Sequence, residues 1–191
     1  HDLVGIITGI GDKNKIINGK SIKPGDLIMG LPSSGLHTNG YSLARKLFFE
    51  IAKCKIDEKL PSLDKPIGLT LLEPHINYTK HVLRLLSSEI NLKGIVHVTG
   101  GGLIENIPRV LPRGLGANIN KNSWPILPIF KLMQSIGEIE ESEMYRTFNM
   151  GIGMAFIIDK KFKNQMEELL SDYTKCFLIG TVSDKNLINI R

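Results

Sequence analysis

The sequence predicts an α/β or α+β fold in which helices flank a mixed β-sheet. Strand-like apolar runs and amphipathic helical segments alternate along the 191 residues, which is typical of such architectures. The composition is globular, with 42% apolar and 23% charged residues, and it shows no long-period repeat. A chain of this length can bury about 70% of the surface that its unfolded form exposes, so we expect it to fold without a metal ion or a disulfide.

The first half of the chain predicts two units, each made of a strand, a loop and a helix. Apolar runs predict strands at 3–10, 27–31 and 95–98. Apolar residues at helical spacing predict helices at 41–52, 78–90 and 103–107. The charged stretch 53–65, which Pro61 interrupts, is predicted to be a surface connection.

The second half continues the alternation of strands and helices. Apolar runs predict strands at 115–119, 151–159 and 176–182. Helical patterns predict helices at 125–136 and 162–170, with one further helical turn at 143–146. The acidic run 138–143 is expected to be a solvated helix start, because carboxylates are favourable at the positive end of a helix.

Charge and composition exclude several classes of partner. The net charge is +5, but the basic residues are dispersed and form no Lys/Arg-rich run with aromatic residues, so we expect small anionic ligands and no nucleic acid. The longest apolar run, 150–158, is about half of the ~18 residues that a membrane span needs. We therefore expect no membrane association.

The start of the chain and its cysteines indicate a cytoplasmic fragment. No charged segment followed by an apolar one opens the sequence, so no secretion signal is expected. Cys54 and Cys176 form no CxxC pair, which favours free thiols in a reducing compartment. His1 stands where an initiator Met would be, which indicates that the chain is part of a longer protein.

The first candidate site is the serine loop, residues 33–40, between a predicted strand and a predicted helix. Backbone N–H groups at a helix start stabilise a phosphate, and hydroxyl groups add donors. The candidate phosphate ligands in this loop are Ser33, Ser34, Gly35, Asn39 and Gly40. His37 could donate to a phosphate or transfer a proton near neutral pH. Alternatively, Asn39 only caps the helix and His37 is an ordinary loop residue.

The second candidate site is the glycine loop, residues 99–102, which follows the strand predicted at 95–98. Three glycines allow the backbone to approach a ligand closely. The candidates are Thr99, Gly100, Gly101 and Gly102, followed by Glu105, Asn106 and Arg109. Arg109 could pair with a phosphate and Glu105 could accept a hydrogen bond from a sugar hydroxyl. A tight turn would explain the glycines equally well.

A third, weaker candidate precedes the strand predicted at 151–159. Arg146 and Asn149 stand before Gly151 and Gly153, and a Gly-x-Gly of this kind is more often a bulge or a close packing contact than a ligand site. No metal site is predicted, because the sequence contains no HExxH and because His75 and His81 are six residues apart, which does not suit one helix face.

Three segments together resemble a known enzyme family. SSGLHTNGYSLARK (33–46), HVTGGGLIENIPRVLP (97–112) and EMYRTFNMGIGM (143–154) closely resemble phosphoribosylformylglycinamidine cyclo-ligases, also called aminoimidazole ribonucleotide synthetases. Pro74, Tyr78 and Lys80 match the family as well, whereas His75 and Ile76 replace its usual Thr-Arg. We assign no function to His75 or Ile76 from the resemblance.

The resemblance implies how the chain is organised. Residues 1–20 would be the end of an N-terminal domain and a linker, and residues 21–191 would be the C-terminal domain of the two-domain fold. The family's N-terminal half carries an Asp-Gly-x-Gly-x-Lys motif that this sequence lacks. That half supplies the homodimer sheet and most of the acidic Mg²⁺/ATP-binding residues, so we expect this chain to be inactive alone.

The resemblance also implies a reaction: the ATP-dependent ring closure of formylglycinamidine ribonucleotide to 5-aminoimidazole ribonucleotide in purine biosynthesis, with ATP and Mg²⁺. We expect the serine loop to face the ribose phosphate, with His37 as the catalytic candidate. The glycine loop and Arg109 would face a phosphate of substrate or nucleotide. Two alternatives remain open: a sibling ATP enzyme that acts on formylglycinamide ribonucleotide, thiamine monophosphate or selenide, or a non-enzymatic module that binds a phosphate ligand.

Overall fold

The computed structural model describes residues 4–191 and contains one six-stranded sheet. The strands are β1 (Leu27–Pro32), β2 (Leu92–His97), β3 (Gly116–Ile119), β4 (Ile152–Ile158), β5 (Phe177–Ser183) and β6 (Ile188–Ile190). Their order is β2-β4-β1-β5-β3-β6. The β3–β6 pair is parallel and the other four neighbouring pairs are antiparallel. The predicted mixed sheet is therefore confirmed.

Seven α-helices in the described residues flank this sheet. They are α1 (Tyr41–Arg45), α2 (Ile67–Leu71), α3 (Thr79–Leu86), α4 (Gly102–Asn106), α5 (Pro128–Gly137), α6 (Glu141–Thr147) and α7 (Lys163–Leu170). A π-helical segment, Lys46–Ile51, continues α1, and 3₁₀ turns lie at Lys13–Lys15, Ile107–Val110 and Lys160–Phe162. None of the helices in residues 4–191 is long and apolar enough to cross a membrane.

Both faces of the sheet are buried, and alternate residues of the central strands point to opposite faces. In β1, Ile28 packs into one core, whereas Met29 and Leu31 pack into the other. The first core also contains Phe48, Phe130 and Phe148 from the π-helical segment, α5 and the end of α6. The second contains Leu85, Met166 and Leu170 from α3 and α7. The fully buried central strands thus read as continuous apolar runs, as the sequence suggested.

Lys93 forms a buried ion pair at the end of the sheet where β1 and β2 begin and β4 ends. Its Nζ lies 2.6 Å from Oδ1 of Asp26 and 3.8 Å from Oδ2 of Asp159. The other Asp26 oxygen accepts a hydrogen bond from the backbone N–H of Lys23 at 2.8 Å. A buried charge of this kind is tolerated only when it is paired, and this pair fixes the relative position of the segments that carry it.

The strand predicted at 3–10 is wrong for residues 4–10, which form no strand, and Leu3 lies outside the described residues. Val4, Ile6, Ile7 and Ile10 are 88 to 105% exposed. An apolar alternation becomes a strand only where another strand pairs with it, and no strand in the described part of the chain does so.

Other element boundaries differ from the prediction for local reasons. The helix predicted at 125–136 begins at Pro128, since proline suits the first helical turn. The helix predicted at 78–90 ends at Leu86, and the one at 103–107 passes into the 3₁₀ turn Ile107–Val110. The acidic run is a helix start, as predicted, with α6 beginning at Glu141. Two short elements, α2 and β6, were missed.

Candidate functional site

The serine loop is held against the start of β4 by one buried side chain, Asn149. Its Oδ1 accepts hydrogen bonds from the Ser33 hydroxyl and from the Gly151 N–H, both at 2.8 Å. Its Nδ2 donates to the Gly35 carbonyl oxygen at 2.9 Å. The Ser33 N–H donates to the Gly151 carbonyl oxygen at 2.8 Å. Ser33 and Asn149 therefore shape the loop, and their polar side-chain atoms are engaged within the protein.

His37 is buried in the serine loop in an uncommon backbone conformation, with φ of 59°. Only 4% of it is exposed, and its Nε2 accepts a hydrogen bond from the Ser34 N–H at 3.1 Å. In the neutral ring the proton is then on Nδ1, and this buried atom has no hydrogen-bond partner within residues 4–191. Burial, followed by the nearby His75 and His97, lowers the pKa of His37 to about 4. His37 is therefore uncharged at neutral pH.

Three histidines from separate segments meet beside this loop. The ring centroids of His37 and His75 lie 4.0 Å apart in an edge-to-face arrangement. The Nε2 atoms of His75 and His97 are 3.3 Å apart. Burial and the neighbouring His75 lower the pKa of His97. His75 and His97 were not predicted as site residues. Nothing in their sequence spacing shows that the end of β2 lies beside the segment before α3.

The glycine loop is shaped by Asn106, as the serine loop is by Asn149. Nδ2 of Asn106 donates to the carbonyl oxygens of Gly102 at 2.7 Å and Gly100 at 3.1 Å. The Thr99 hydroxyl donates to Oδ1 of Asn106 at 3.1 Å. Gly101 and Gly102 have φ of 94° and 55°, a region that favours glycine. The tight turn thus explains Gly101 and Gly102, while Gly100 stays exposed.

The serine and glycine loops touch each other and the end of α6. A Cβ atom on Gly100 would lie 3.4 Å from Oδ1 of Asn39. A Cβ on Gly102 would overlap the carbonyl oxygen of Tyr145, and one on Gly40 would overlap the Phe148 ring. These glycines allow the three segments to approach closely at one end of the sheet. We call this arrangement the loop cluster, residues 33–40, 99–102 and 145–149.

Two alternatives from the sequence are settled by these contacts. The residue before α1 is Gly40, with φ of 80° and no side-chain capping bond, so the interpretation of Asn39 as the helix cap is wrong. The Gly-x-Gly at Gly151 and Gly153 is a packing feature, since a side chain at Gly153 would overlap the Tyr78 hydroxyl and the His37 ring.

The remaining candidates are on the surface. Glu105 and Arg109 are exposed, on α4 and on the 3₁₀ turn after it. Arg146 is exposed on α6, with a nitrogen 3.9 Å from an oxygen of Glu143. Ser34 is half-buried and its hydroxyl donates to the Pro74 carbonyl oxygen at 2.6 Å. Nothing within the described chain assigns a ligand to these residues, and their roles remain predictions.

One cavity opens at the loop cluster, and a second lies beside it, where the His75 ring contacts His37. One, of about 380 Å³, is lined by His37, Thr38, Tyr41 and Glu73 with two leucines. The other, of about 500 Å³, is lined by His75, His97, Tyr78, Met154 and neighbouring residues of the α3 region. The loop cluster offers backbone N–H groups, hydroxyls, amides and imidazoles, which suits phosphate oxygens. It does not fit Mg²⁺, which prefers several oxygen ligands, because the described residues bring together no group of three or more His, Cys, Asp or Glu side chains there.

A comparison with models of known protein families shows which family the chain belongs to. The family described as "AIR synthase related protein, C-terminal domain" matches residues 23–191. The chain belongs to this family. The matched residues include all the strands and helices that form the loop cluster, and the match begins shortly before β1.

Curated relatives of this AIR synthase-related domain extend the comparison to whole proteins. A phosphoribosylformylglycinamidine cyclo-ligase from Acetivibrio thermocellus is 47% identical over 100% of this chain and 56% of its own length. One of the same name from Geobacillus thermodenitrificans is 45% identical over 95% of this chain and 53% of its own length. The chain thus spans about half the length of the curated relatives it matches.

Solved structures show the same fold at low sequence identity. Thiamine-monophosphate kinase from Stenotrophomonas maltophilia has a TM-score of 0.61 and 16% identity, covering 91% of this chain and 52% of the kinase. The hydrogenase maturation protein HypE of E. coli has a TM-score of 0.58 and 17% identity, covering 90% of this chain and 48% of HypE. PurL of T. maritima, in a complex with AMPPCP, has a TM-score of 0.53 and 12% identity, covering 93% of this chain and 25% of PurL.

Proposed function

We propose that this chain is the C-terminal part of a phosphoribosylformylglycinamidine cyclo-ligase, which closes formylglycinamidine ribonucleotide to 5-aminoimidazole ribonucleotide with ATP. The observation that carries the proposal is 47% identity over the whole chain to a protein of that name. The loop cluster supports it, because a ribonucleotide substrate and ATP both bring phosphates. Backbone N–H groups and exposed polar side chains bind such groups well.

In this reaction ATP phosphorylates the formyl amide oxygen, and the amidine nitrogen then attacks the carbon and releases phosphate. The protein must hold two anionic ligands in register and exclude water, which is a task of positioning and electrostatics. This chain would contribute the loop cluster. Mg²⁺ would be held by carboxylates outside this chain together with ATP. We further propose a homodimer in the cytoplasm.

The residue roles follow from exposure and hydrogen bonding. Ser33, Asn106 and Asn149 are buried and engaged, so they hold the loops in shape. Gly35 and Gly102 are buried as well, and their carbonyl oxygens accept hydrogen bonds from Asn149 and Asn106. Direct contacts with phosphate oxygens are therefore assigned to the groups that are at least partly accessible: Ser34, Asn39, Gly40, Thr99, Gly100, Gly101 and, from the elements that follow, Glu105 and Arg109. Arg146 is a weaker candidate at the edge.

His37 would act in its neutral form. Its pKa of about 4 makes it a poor general acid or cationic phosphate ligand at neutral pH. Its unpaired Nδ1–H is suited to donate a hydrogen bond to a ligand oxygen that reaches it, while Nε2 keeps the backbone of Ser34 in place. We therefore assign it to orienting the substrate by hydrogen bonding and not to proton transfer.

Turnover tests the proposal. Formylglycinamidine ribonucleotide, ATP and Mg²⁺ are supplied to the complete protein that contains this chain and, in parallel, to the chain alone. We expect 5-aminoimidazole ribonucleotide from the complete protein only. Absence of turnover by the complete protein would contradict the proposal. Thiamine monophosphate and formylglycinamide ribonucleotide with glutamine, tried in the same assay, would then identify a sibling activity.

A further inference from the structure

Two exposed histidines, His75 and His97, have ring nitrogens that lie close together at the edge of the cavity beside the loop cluster. His97 ends β2, and His75 lies in the segment before α3. Their Nε2 atoms are 3.3 Å apart, and their ring centroids are 5.2 Å apart with the planes tilted by 39°. Both side chains line the cavity of about 500 Å³. The proposed function gives neither of them a role.

The backbone on both sides of His75 is fixed by hydrogen bonds to the serine loop and β1. The Ser34 hydroxyl donates to the Pro74 carbonyl oxygen, and the Tyr78 hydroxyl donates to the Pro32 carbonyl oxygen, each at 2.6 Å. His97 is fixed in β2, where it is opposite Met154 of β4. The two rings are therefore presented by rigid backbone, which lowers the entropic cost of binding a shared ligand.

The separation of the two nitrogens fits a metal ion between them. Zn²⁺ binds imidazole nitrogen at about 2.0–2.1 Å in tetrahedral geometry, which places two such nitrogens about 3.3–3.4 Å apart. A neutral imidazole with its proton on Nδ1 offers an Nε2 lone pair for this purpose. Without a metal, one shared N–H···N hydrogen bond joins the same two atoms. A small rotation of each ring would exchange that bond for two bonds to the ion.

We propose that His75 and His97 form a two-histidine site for a divalent transition-metal ion of the Zn²⁺ type. Water, or an oxygen of an anion in the cavity, would fill the other coordination positions. Residues 4–191 contain no group of three or more His, Cys, Asp or Glu side chains arranged for a metal ion, so the described residues supply two protein ligands. His37 adds none, because its Nε2 accepts a hydrogen bond from the Ser34 N–H and its Nδ1 carries the proton.

With two protein ligands, the site leaves the other coordination positions of the ion open. Because both ligands are imidazole nitrogens, it favours transition-metal ions over Mg²⁺. An open site binds more weakly than a closed four-ligand site and exchanges its ion readily. Mg²⁺ prefers oxygen ligands and binds imidazole poorly. Millimolar Mg²⁺, which ATP enzymes require, would therefore leave this site to the transition metal.

Calorimetric titration with ZnCl₂ in a non-chelating buffer containing Mg²⁺ tests the site, with neither ATP nor substrate present. The protein, His75→Gln and His97→Gln are compared with His81→Gln, a matched control. His81 contacts the rings of Tyr78 and Tyr173 and is not part of the pair. We expect one ion per chain, at least about tenfold weaker binding in each pair variant, and unchanged binding in His81→Gln. Circular dichroism verifies that all variants are folded.

The inference is overturned if the protein binds no Zn²⁺ up to about 0.5 mM, a concentration well above a micromolar dissociation constant. It is also overturned if either pair variant binds as tightly as the protein itself, or if His81→Gln weakens binding as much as they do. Because the assay contains no nucleotide, its result is independent of whether the cyclo-ligase activity is found.

Discussion

The hydroxyl of Ser33 donates a hydrogen bond of 2.8 Å to the side-chain oxygen of Asn149, although the two residues are 116 positions apart in the sequence. The same side chain also binds the backbone at Gly35 and Gly151. One amide thus joins the loop after β1 to the start of β4, and it fixes the conformation of the serine loop from the side opposite the solvent.

Replacing Asn149 by Ala is expected to destabilise the protein and the loop together. The change leaves buried donors and acceptors at Ser33, Gly35 and Gly151 unpaired, so we expect the free energy of unfolding to fall by about 2–4 kcal/mol. Urea unfolding measures this change. Asn122→Ala, at an exposed position, is the control and should change stability by less than about 0.5 kcal/mol. Equal effects of the two substitutions would contradict the bracing role.

A substitution at Gly102 tests how closely the glycine loop packs against α6. A Cβ atom there would overlap the backbone carbonyl oxygen of Tyr145, in addition to the strain of φ at 55°. We expect Gly102→Ala to cost about 3 kcal/mol or more, because backbone strain and overpacking add. Gly114 is the matched position, with φ of 88° and nothing within 4 Å of a Cβ.

Gly114→Ala should cost only the conformational strain, about 1–2 kcal/mol. The difference between the two variants, measured by thermal or urea unfolding, isolates the steric contact. If Gly102→Ala were no more destabilising than Gly114→Ala, the segments would not be packed as closely as the structure has them.

The buried His37 predicts a pH dependence of stability. Its pKa is about 4 in the folded protein and near the ordinary histidine value of 6.5 in the unfolded chain. Between these values the unfolded chain binds a proton that the folded chain does not, so the free energy of unfolding falls as pH decreases from about 6.5 to about 4. Urea unfolding across this range, with EDTA present, measures the slope.

The variant His37→Asn should show a smaller slope over the same pH range, since it removes the titrating group and asparagine tolerates positive φ. An unchanged slope in this variant would mean that other groups, and not His37, cause the acid sensitivity.

The ion pair between Lys93 and Asp26 should matter far more than a surface pair of the same length. Lys93→Met leaves the Asp26 carboxylate buried without its partner, and we expect a loss of about 3–5 kcal/mol in the free energy of unfolding. The control is Lys65→Met, which breaks the exposed 2.6 Å pair with Glu73 and should cost less than about 1 kcal/mol. Similar losses in both variants would contradict the burial of the first pair.

The central strands could be predicted from the sequence because β1 and β4 are buried on both faces. Their continuous apolar runs are of strand length, and the flanking helices keep a clear apolar face. The prediction failed for segments whose secondary structure depends on whether another strand pairs with them. β6 is three residues long and exists through its parallel pairing with β3, and the alternation in residues 4–10 finds no pairing strand within the described chain.

The candidate site could be predicted only as separate loops. Small hydroxyl and glycine residues at the ends of strands indicated where a phosphate could bind, but not which side chains face it. The inward position of Asn149 depends on contacts with the serine loop, more than a hundred residues away in the sequence. Asn106 bonds within its own loop and helix, where the sequence shows neither which way its side chain points nor that it is buried. The approach of His37, His75 and His97 likewise requires the antiparallel order of the strands, which no local pattern contains.

A crystal structure of the complete protein with formylglycinamidine ribonucleotide tests the central claim most directly. The account predicts that the ribose phosphate lies within hydrogen-bonding distance of backbone N–H groups or side chains of the serine loop or the glycine loop, with Asn149 and Asn106 in their present contacts. A phosphate bound elsewhere, with no contact to either loop, would contradict it.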